Sequence, residues 1–184
     1  LLLDSGGQYK LGTTDVTRTL STGKVKKIQS LNFTLVLKSH IKLNNAIFPK
    51  GTSGAFLDYI ARSELWKSGK DFAHGTGHGV GYCLNVHEGP FSISKNNNIP
   101  LQEGMVFSNE PGYYLEGKFG IRIENLVTVR KKTINKKDLF KIETLTLAPY
   151  DIDLITKNLL TNEELIWIKN YHNTVFENIS PYLD

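Results

Sequence analysis

At 184 residues the chain is long enough for one domain with a sizeable core, and its 40% hydrophobic and 22% charged content is ordinary for a globular protein. The formal charge of +4 rests on lysines that are scattered or paired in polar stretches such as Lys131-Lys132 and Lys136-Lys137, without the aromatic or arginine readers of a nucleic-acid surface. No apolar run approaches the roughly 20 residues of a membrane span, so neither a nucleic acid nor a membrane is an expected partner.

The lone Cys83 has no intramolecular partner, which fits a reducing compartment. Leu1 to Asp4 reads as a short buried strand, and Thr13 to Thr19 as its hairpin mate across a turn near Gly12. With no initiator Met and a strand starting at the first residue, the chain is expected to be a fragment of a longer protein. Ile28, Leu31, Leu35 and Leu43 suggest a helix from about Lys27 to Asn45. Pro49-Lys50-Gly51 breaks it. Thr52 or Ser53 can cap a second helix carrying Phe56, Tyr59, Ile60 and Leu65, which Gly69 ends.

A glycine-rich stretch follows from His74 to Gly89, then a polar loop from Ser94 to Pro100. Met105 to Asn109 and Gly120 to Val129 read as strands joined through Glu116-Gly117. Lys131 to Asp138 is expected to be a mobile polar loop, and Ile142 to Ala148 a strand. Thr161-Asn162-Glu163-Glu164 is a capping box that opens a last helix, with Leu165, Ile168, Tyr171, Val175 and Ile179 on one face. That face can bury within the domain or across a homodimer of the full-length protein. The class is α+β, with antiparallel hairpins and no internal boundary.

Two segments share a form, a hairpin with a carboxylate on each arm. Asp4 and Asp15 flank the first turn, and Glu110 and Glu124 lie symmetrically about Gly117. Carboxylates facing each other across a ladder, roughly 5 Å apart, repel unless a cation neutralises them. Four such groups with a nearby imidazole are what two divalent metals require. The stretch His74-Gly75-Thr76-Gly77-His78-Gly79-Val80-Gly81 supplies imidazoles where backbone can approach closely. It is not a dinucleotide fingerprint, because Val80 stands where the third glycine should be. His74 and His78 have a spacing compatible with one helical face. His87 follows in Asn85-Val86-His87-Glu88-Gly89-Pro90. His40 and His172 fall in helical patterns with no polar company and are read as structural.

On Asp4 to Tyr9 with Gly12 to Thr19, on His74 to Pro90 and on Asn109 to Asn125, the sequence resembles the eukaryotic cytosolic-type Xaa-Pro aminopeptidases (aminopeptidase P) of the pita-bread metallopeptidase family. The resemblance implies an antiparallel sheet with flanking helices, and that residues 1–184 form a C-terminal catalytic metallopeptidase domain without the first part of the fold. It places five metal ligands on Asp4, Asp15, His78, Glu110 and Glu124. Asp15 and Glu124 would bridge two ions, Asp4 completing one site and His78 with Glu110 the other. His74 and His87 match histidines that hold the scissile carbonyl, Glu110 the proton shuttle, and Arg122 a residue that orients carboxylates. The implied activity is hydrolysis of the N-terminal Xaa-Pro bond of peptides with proline second, in the cytoplasm. Carboxylate-rich ligands favour manganese. A prolidase, a methionine aminopeptidase and a non-catalytic binding module on the same fold are the rival readings. The intact ligand set speaks against the last.

Overall fold

The structure, a computed structural model, describes residues 1–183. Its elements run β1 (Leu2–Tyr9), β2 (Gly12–Thr19), α1 (Lys27–Asn44), β3 (Ile47–Pro49), α2 (Gly54–Trp66), β4 (Gly77–His78), β5 (Ser92–Ile93), β6 (Val106–Asn109), β7 (Gly112–Leu115), β8 (Phe119–Arg122), β9 (Asn125–Ile134), β10 (Lys137–Thr144) and α3 (Asn162–Ile179). All strand pairs are antiparallel. The α+β expectation is met.

The longest feature is a single hairpin. β6 pairs β9 from Val106↔Thr128 to Asn109↔Asn125, and β7 pairs β8 from Gly112↔Arg122 to Leu115↔Phe119. Both ladders share one register about Gly117, whose φ of +68° closes the turn at a position suited to glycine. Glu110 and Glu124 sit at the interruption between the two ladders, as the symmetry predicts. β9 and β6 continue into a four-stranded sheet in the order β3-β10-β9-β6. β2 is stitched alongside by Glu124 N–H donating to the Thr17 carbonyl at 3.0 Å and Thr19 Oγ1 donating to the Arg122 carbonyl at 3.0 Å. The sheet thus curls round α1 and brings both acidic hairpins to one side.

Two apolar clusters hold this arrangement. One joins α1, α3 and the β8 end of the hairpin through Phe33, Leu37, Ile121, Ile168 and Tyr171. The other joins α2 to the four-stranded sheet through Leu57, Ala61, Phe107, Val127 and Phe140. Each fully buried Leu or Phe stabilises the fold by about 2 kcal/mol. α3 starts at the expected capping box, Thr161 and Glu164 exchanging backbone-to-side-chain hydrogen bonds. Its buried residues Ile168, Tyr171 and Val175 lie on the expected face.

Several expectations are corrected. β1 is longer than Leu1 to Asp4 and largely exposed, with Leu1 at 64% and Leu3 at 50%, because β2 takes the inner position of that hairpin. In α1 the buried face runs through Phe33, Val36, Leu37, Ile41 and Leu43, while Ile28 is exposed. The apolar period is blurred there because Asn32, Thr34, Ser39 and His40 are buried too. Phe56 and Tyr59 of α2 face outward. Lys131 to Asp138 is no loop: it is the end of β9, a tight turn at Asn135-Lys136 with φ of 49° and 61°, and the start of β10. A hairpin projecting past the core carries no apolar alternation to mark its strands. The strand expected to reach Ala148 ends at Thr144. Ser94 to Pro100 is a loop, but the Asn97 carbonyl receives Ala55 N–H at 3.0 Å at the start of α2, and Ile99 packs on the core.

His40 and His172 are structural as expected, yet they do have polar company. Tyr150 donates its backbone N–H to His172 Nε2 at 3.0 Å, and its hydroxyl meets His40 Nε2 at 3.1 Å. Complete burial, with Arg18 nearby, lowers the His40 pKa to about 3 from the ordinary 6.5. The unfolded chain therefore binds this proton near pH 6.5 while the folded chain binds it only near pH 3. Stability contributed by neutral His40 is present above pH 6.5 and lost as pH falls towards 3, by up to roughly 4–5 kcal/mol. Urea unfolding at pH 6.5 and pH 4 is expected to show a steeper loss for the native sequence than for His40→Gln. Equal slopes would count against this account of His40.

Candidate metal centre

The chain brings its acidic pairs together by geometry that differs in one respect from the sequence reading. In the β1/β2 register Asp4 opposes Thr17, and Asp15 opposes Gly6. Asp4 and Asp15 are thus diagonal neighbours on one face, not a facing pair. Glu124 approaches that face from β8–β9. Asp4, Asp15 and Glu124 each offer a carboxylate oxygen within 4.8 Å of the others, and so do the donor atoms of His78, Glu110 and Glu124, and of Asp15, His78 and His87. The five expected ligands converge, with Asp15, His78 and Glu124 each shared between two groups.

His78 is delivered by β4, an extended segment; the helical face considered for His74 and His78 does not form. Gly77 lies against the backbone of Ser108, where an added Cβ would overlap the Ser108 carbonyl oxygen. That approach lets His78 N–H donate to Ser108 Oγ at 2.9 Å, and Glu110 N–H to the Thr76 carbonyl at 2.8 Å. His78 Nδ1 is 2.9 Å from the Gly79 carbonyl, which requires a proton on Nδ1 and turns Nε2 towards the acids. Nε2 lies 3.4 Å from Asp15 Oδ2 and 3.2 Å from Glu110 Oε1, buried and without an aligned hydrogen bond to either.

The electrostatics mark a site deficient in positive charge. Burial first, then the charges of Glu110, Asp15 and Asp4, raise the Glu124 carboxyl to about 8, against a hydrogen bond from Thr17 Oγ1 at 2.6 Å that opposes the rise. Its Oε1 is buried with no partner. Burial disfavours a charge on His78, but the carboxylates of Asp15 and Glu110 outweigh it and lift the imidazole to about 10. Orphaned donor atoms of a histidine and a glutamate, amid carboxylates that resist ionising together, fit divalent cations.

The surroundings add residues that the sequence reading missed. Arg122 ion-pairs with Asp4, donates from Nε to Thr17 Oγ1 at 3.2 Å, and keeps Nε 3.8 Å from Glu110 Oε2, so it lies beside the carboxylates. Its Nη1 donates to Tyr114 at 3.1 Å. Tyr114 Oη is 2.8 Å from His74 Nε2, and His74 Nδ1 is 2.7 Å from the Gly75 carbonyl, so both nitrogens of His74 are engaged at the rim. Burial is the main cause of the raised Tyr114 pKa, which keeps the phenol a donor. His87 is exposed and stacks on His78 with ring centroids 3.9 Å apart. The loop bearing it is pinned by Gln8 Nε2 donating to the Cys83 carbonyl at 3.2 Å and Thr13 Oγ1 to the Leu84 carbonyl at 3.1 Å. Thr17 and Tyr114 were findable: Thr17 lies two residues along β2 from Asp15, and Tyr114 lies diagonally across the β7/β8 ladder from Arg122.

Comparison with known proteins agrees with the architecture. The X-prolyl aminopeptidase of Caenorhabditis elegans, described as a cytosolic enzyme with a di-nuclear active site, superposes with a TM-score of 0.94 at 44% identity, covering 99% of this chain and 30% of that one. The prolidase of Pyrococcus horikoshii superposes with a TM-score of 0.70 at 32% identity, covering 82% and 41%. The curled antiparallel sheet with its packed helices is the pita-bread fold of such peptidases. Residues 1–131 match the model of metallopeptidase family M24, and residues 138–184 that of the C-terminal region of peptidase M24. The chain belongs to metallopeptidase family M24. Aminopeptidase P1 of Lotus japonicus is 49% identical over the whole chain, and the probable Xaa-Pro aminopeptidase P of Arthroderma gypseum 50%. The chain spans 29% and 30% of the length of those two relatives.

Proposed function

We propose that the full-length protein is a metal-dependent exopeptidase that hydrolyses the N-terminal Xaa-Pro bond of peptides, with residues 1–184 as its C-terminal catalytic domain. The observation that carries this reading is the convergence of Asp4, Asp15, His78, Glu110 and Glu124 around orphaned donor atoms of His78 and Glu124. About 50% identity to Xaa-Pro aminopeptidase P relatives supports the substrate class. Asp15 and Glu124 would bridge two divalent ions, manganese by the hardness of the donor set, with Asp4 on one side and His78 and Glu110 on the other.

Such ions, when bound, supply a water acidic enough to ionise at neutral pH and a Lewis-acid hold on the scissile carbonyl. The protein's own groups do the rest. Glu110, hydrogen-bonded through Oε1 to Ser108 Oγ at 3.0 Å, is held where it can accept the water's proton and return it to the leaving proline nitrogen. His87 is free to donate to the carbonyl oxygen as negative charge develops there. His74 would donate to the same oxygen once a proton is carried on the Nε2 that here faces Tyr114. A substrate α-amine is drawn to the acidic cluster, which confines cleavage to the first bond. Proline brings a ring and no N–H, so recognition must come from shape; Val86 and Pro90 stand near His87 for that purpose. The cytoplasm as location and a homodimer as assembly belong to the same reading.

The test is a comparison of kcat/KM for Xaa-Pro-Yaa and Xaa-Pro in the full-length protein. The tripeptide is expected to be cleaved at the Xaa-Pro bond and strongly preferred. A preference for the dipeptide would replace the aminopeptidase by a prolidase.

A further inference from the structure

Behind the acidic cluster lies a buried cation with no ion pair among the described residues. Arg18, 7% exposed, meets no carboxylate side chain among the described residues. Taking a guanidinium out of water without a counter-ion is costly unless its N–H groups are satisfied by well-placed acceptors. Here Nη1 donates to the carbonyls of Thr17 at 2.9 Å and Glu124 at 2.6 Å. Nη2 donates to Asn125 Oδ1 at 2.7 Å, the Ala148 carbonyl at 2.7 Å and Tyr171 Oη at 3.2 Å, and Nε donates to the Pro149 carbonyl at 3.0 Å. The guanidinium also lies over the Tyr150 ring, 4.6 Å from its centroid.

We infer that Arg18 is a positioning residue for the metal centre, one that locks the Glu124 peptide to β2 and to the C-terminal segment from Ala148 to Tyr171. The inference rests on the two-metal reading given above. Thr17 and Glu124 are the two residues whose side chains share the 2.6 Å hydrogen bond inside the cluster, and Arg18 grips both of their carbonyls from the opposite face. Asp15 lies three residues before Arg18 on the same strand, so one side chain sets the spacing of Asp15 against Glu124. The C-terminal region, remote from the centre in sequence, thereby takes part in its geometry through two backbone carbonyls and a tyrosine hydroxyl. Lysine cannot reproduce this grip, because a point ammonium with three donors cannot span six acceptors on three segments.

The experiment titrates the metal-free full-length protein with Mn²⁺ alone by calorimetry, for the native sequence, Arg18→Lys and Tyr171→Phe. Apo melting temperature and the kcat and KM of a saturated enzyme on Xaa-Pro-Yaa are read alongside. Arg18→Lys is expected to weaken Mn²⁺ binding by about tenfold or more and to lower kcat with little change in KM. Its apo melting temperature is expected to stay within about 5 °C of native. Tyr171→Phe, which keeps the arginine and removes one of its partners, is expected to weaken binding by about threefold, and it decides the matter if Arg18→Lys does not fold. Native Mn²⁺ affinity in the variants that fold overturns the assignment of Arg18. A native protein that binds two ions but leaves peptides intact sinks the peptidase reading while the affinity comparison still decides Arg18. One that binds no Mn²⁺ sinks both.

Discussion

Glu110→Gln in the full-length protein is expected to lower kcat by at least about a hundredfold while the fold persists. The amide has the shape of the carboxylate and can still take the hydrogen bond from Ser108 Oγ, so the hairpin is not disturbed. What it lacks is the negative charge and the basicity to take and return a proton. It also loses one of the charges facing His78 Nε2 at 3.2 Å, so weaker binding of one ion should accompany the kinetic loss. Single-turnover rates measured at saturating metal separate the two effects. Near-native turnover with both ions bound would show that another group moves the proton.

Gly77→Ala is expected to be the most disruptive small substitution near the site. The new methyl would overlap the Ser108 carbonyl oxygen, which is backbone and cannot swing aside. Either β4 lifts from β6 or the β6 strand shifts, at a cost of about 3 kcal/mol or more. Lifting β4 breaks the His78 N–H to Ser108 Oγ bond and moves the imidazole away from Glu110 and Asp15. A large fall in melting temperature together with loss of metal binding is the expected result. An alanine variant with native stability would mean that the close packing of these two strands is not required.

The acidic hairpins were legible because turn chemistry and two-residue periodicity act locally: one register about Gly117 predicts Glu110 opposite Glu124, and the ladders on either side confirm it. The same local symmetry fails for Asp15: the turn at Lys10-Leu11 is centred one residue later than symmetry about Asp4 and Asp15 requires, which puts Asp15 against Gly6, two pairs along from Asp4. α3 was legible because its capping box and its apolar stripe agree. α1 was legible in extent but not in orientation, because a helix buried on several sides carries buried polar residues that dilute its period. The Lys131 to Asp138 hairpin was hidden by its exposure on both faces. Least legible was the support behind the site. Arg18 reads as one more basic residue in a strand, and only the arrival of Glu124, Asn125, Ala148, Pro149 and Tyr171 from distant segments gives it a purpose.

Whether the five side chains hold two ions is decided by anomalous diffraction from crystals of the full-length protein loaded with Mn²⁺. Two peaks roughly 3.5 Å apart are expected, with Asp15 and Glu124 touching both, Asp4 touching one, and His78 with Glu110 touching the other. A single peak, or peaks bound by other residues while these five remain unligated, would contradict the two-ion assignment.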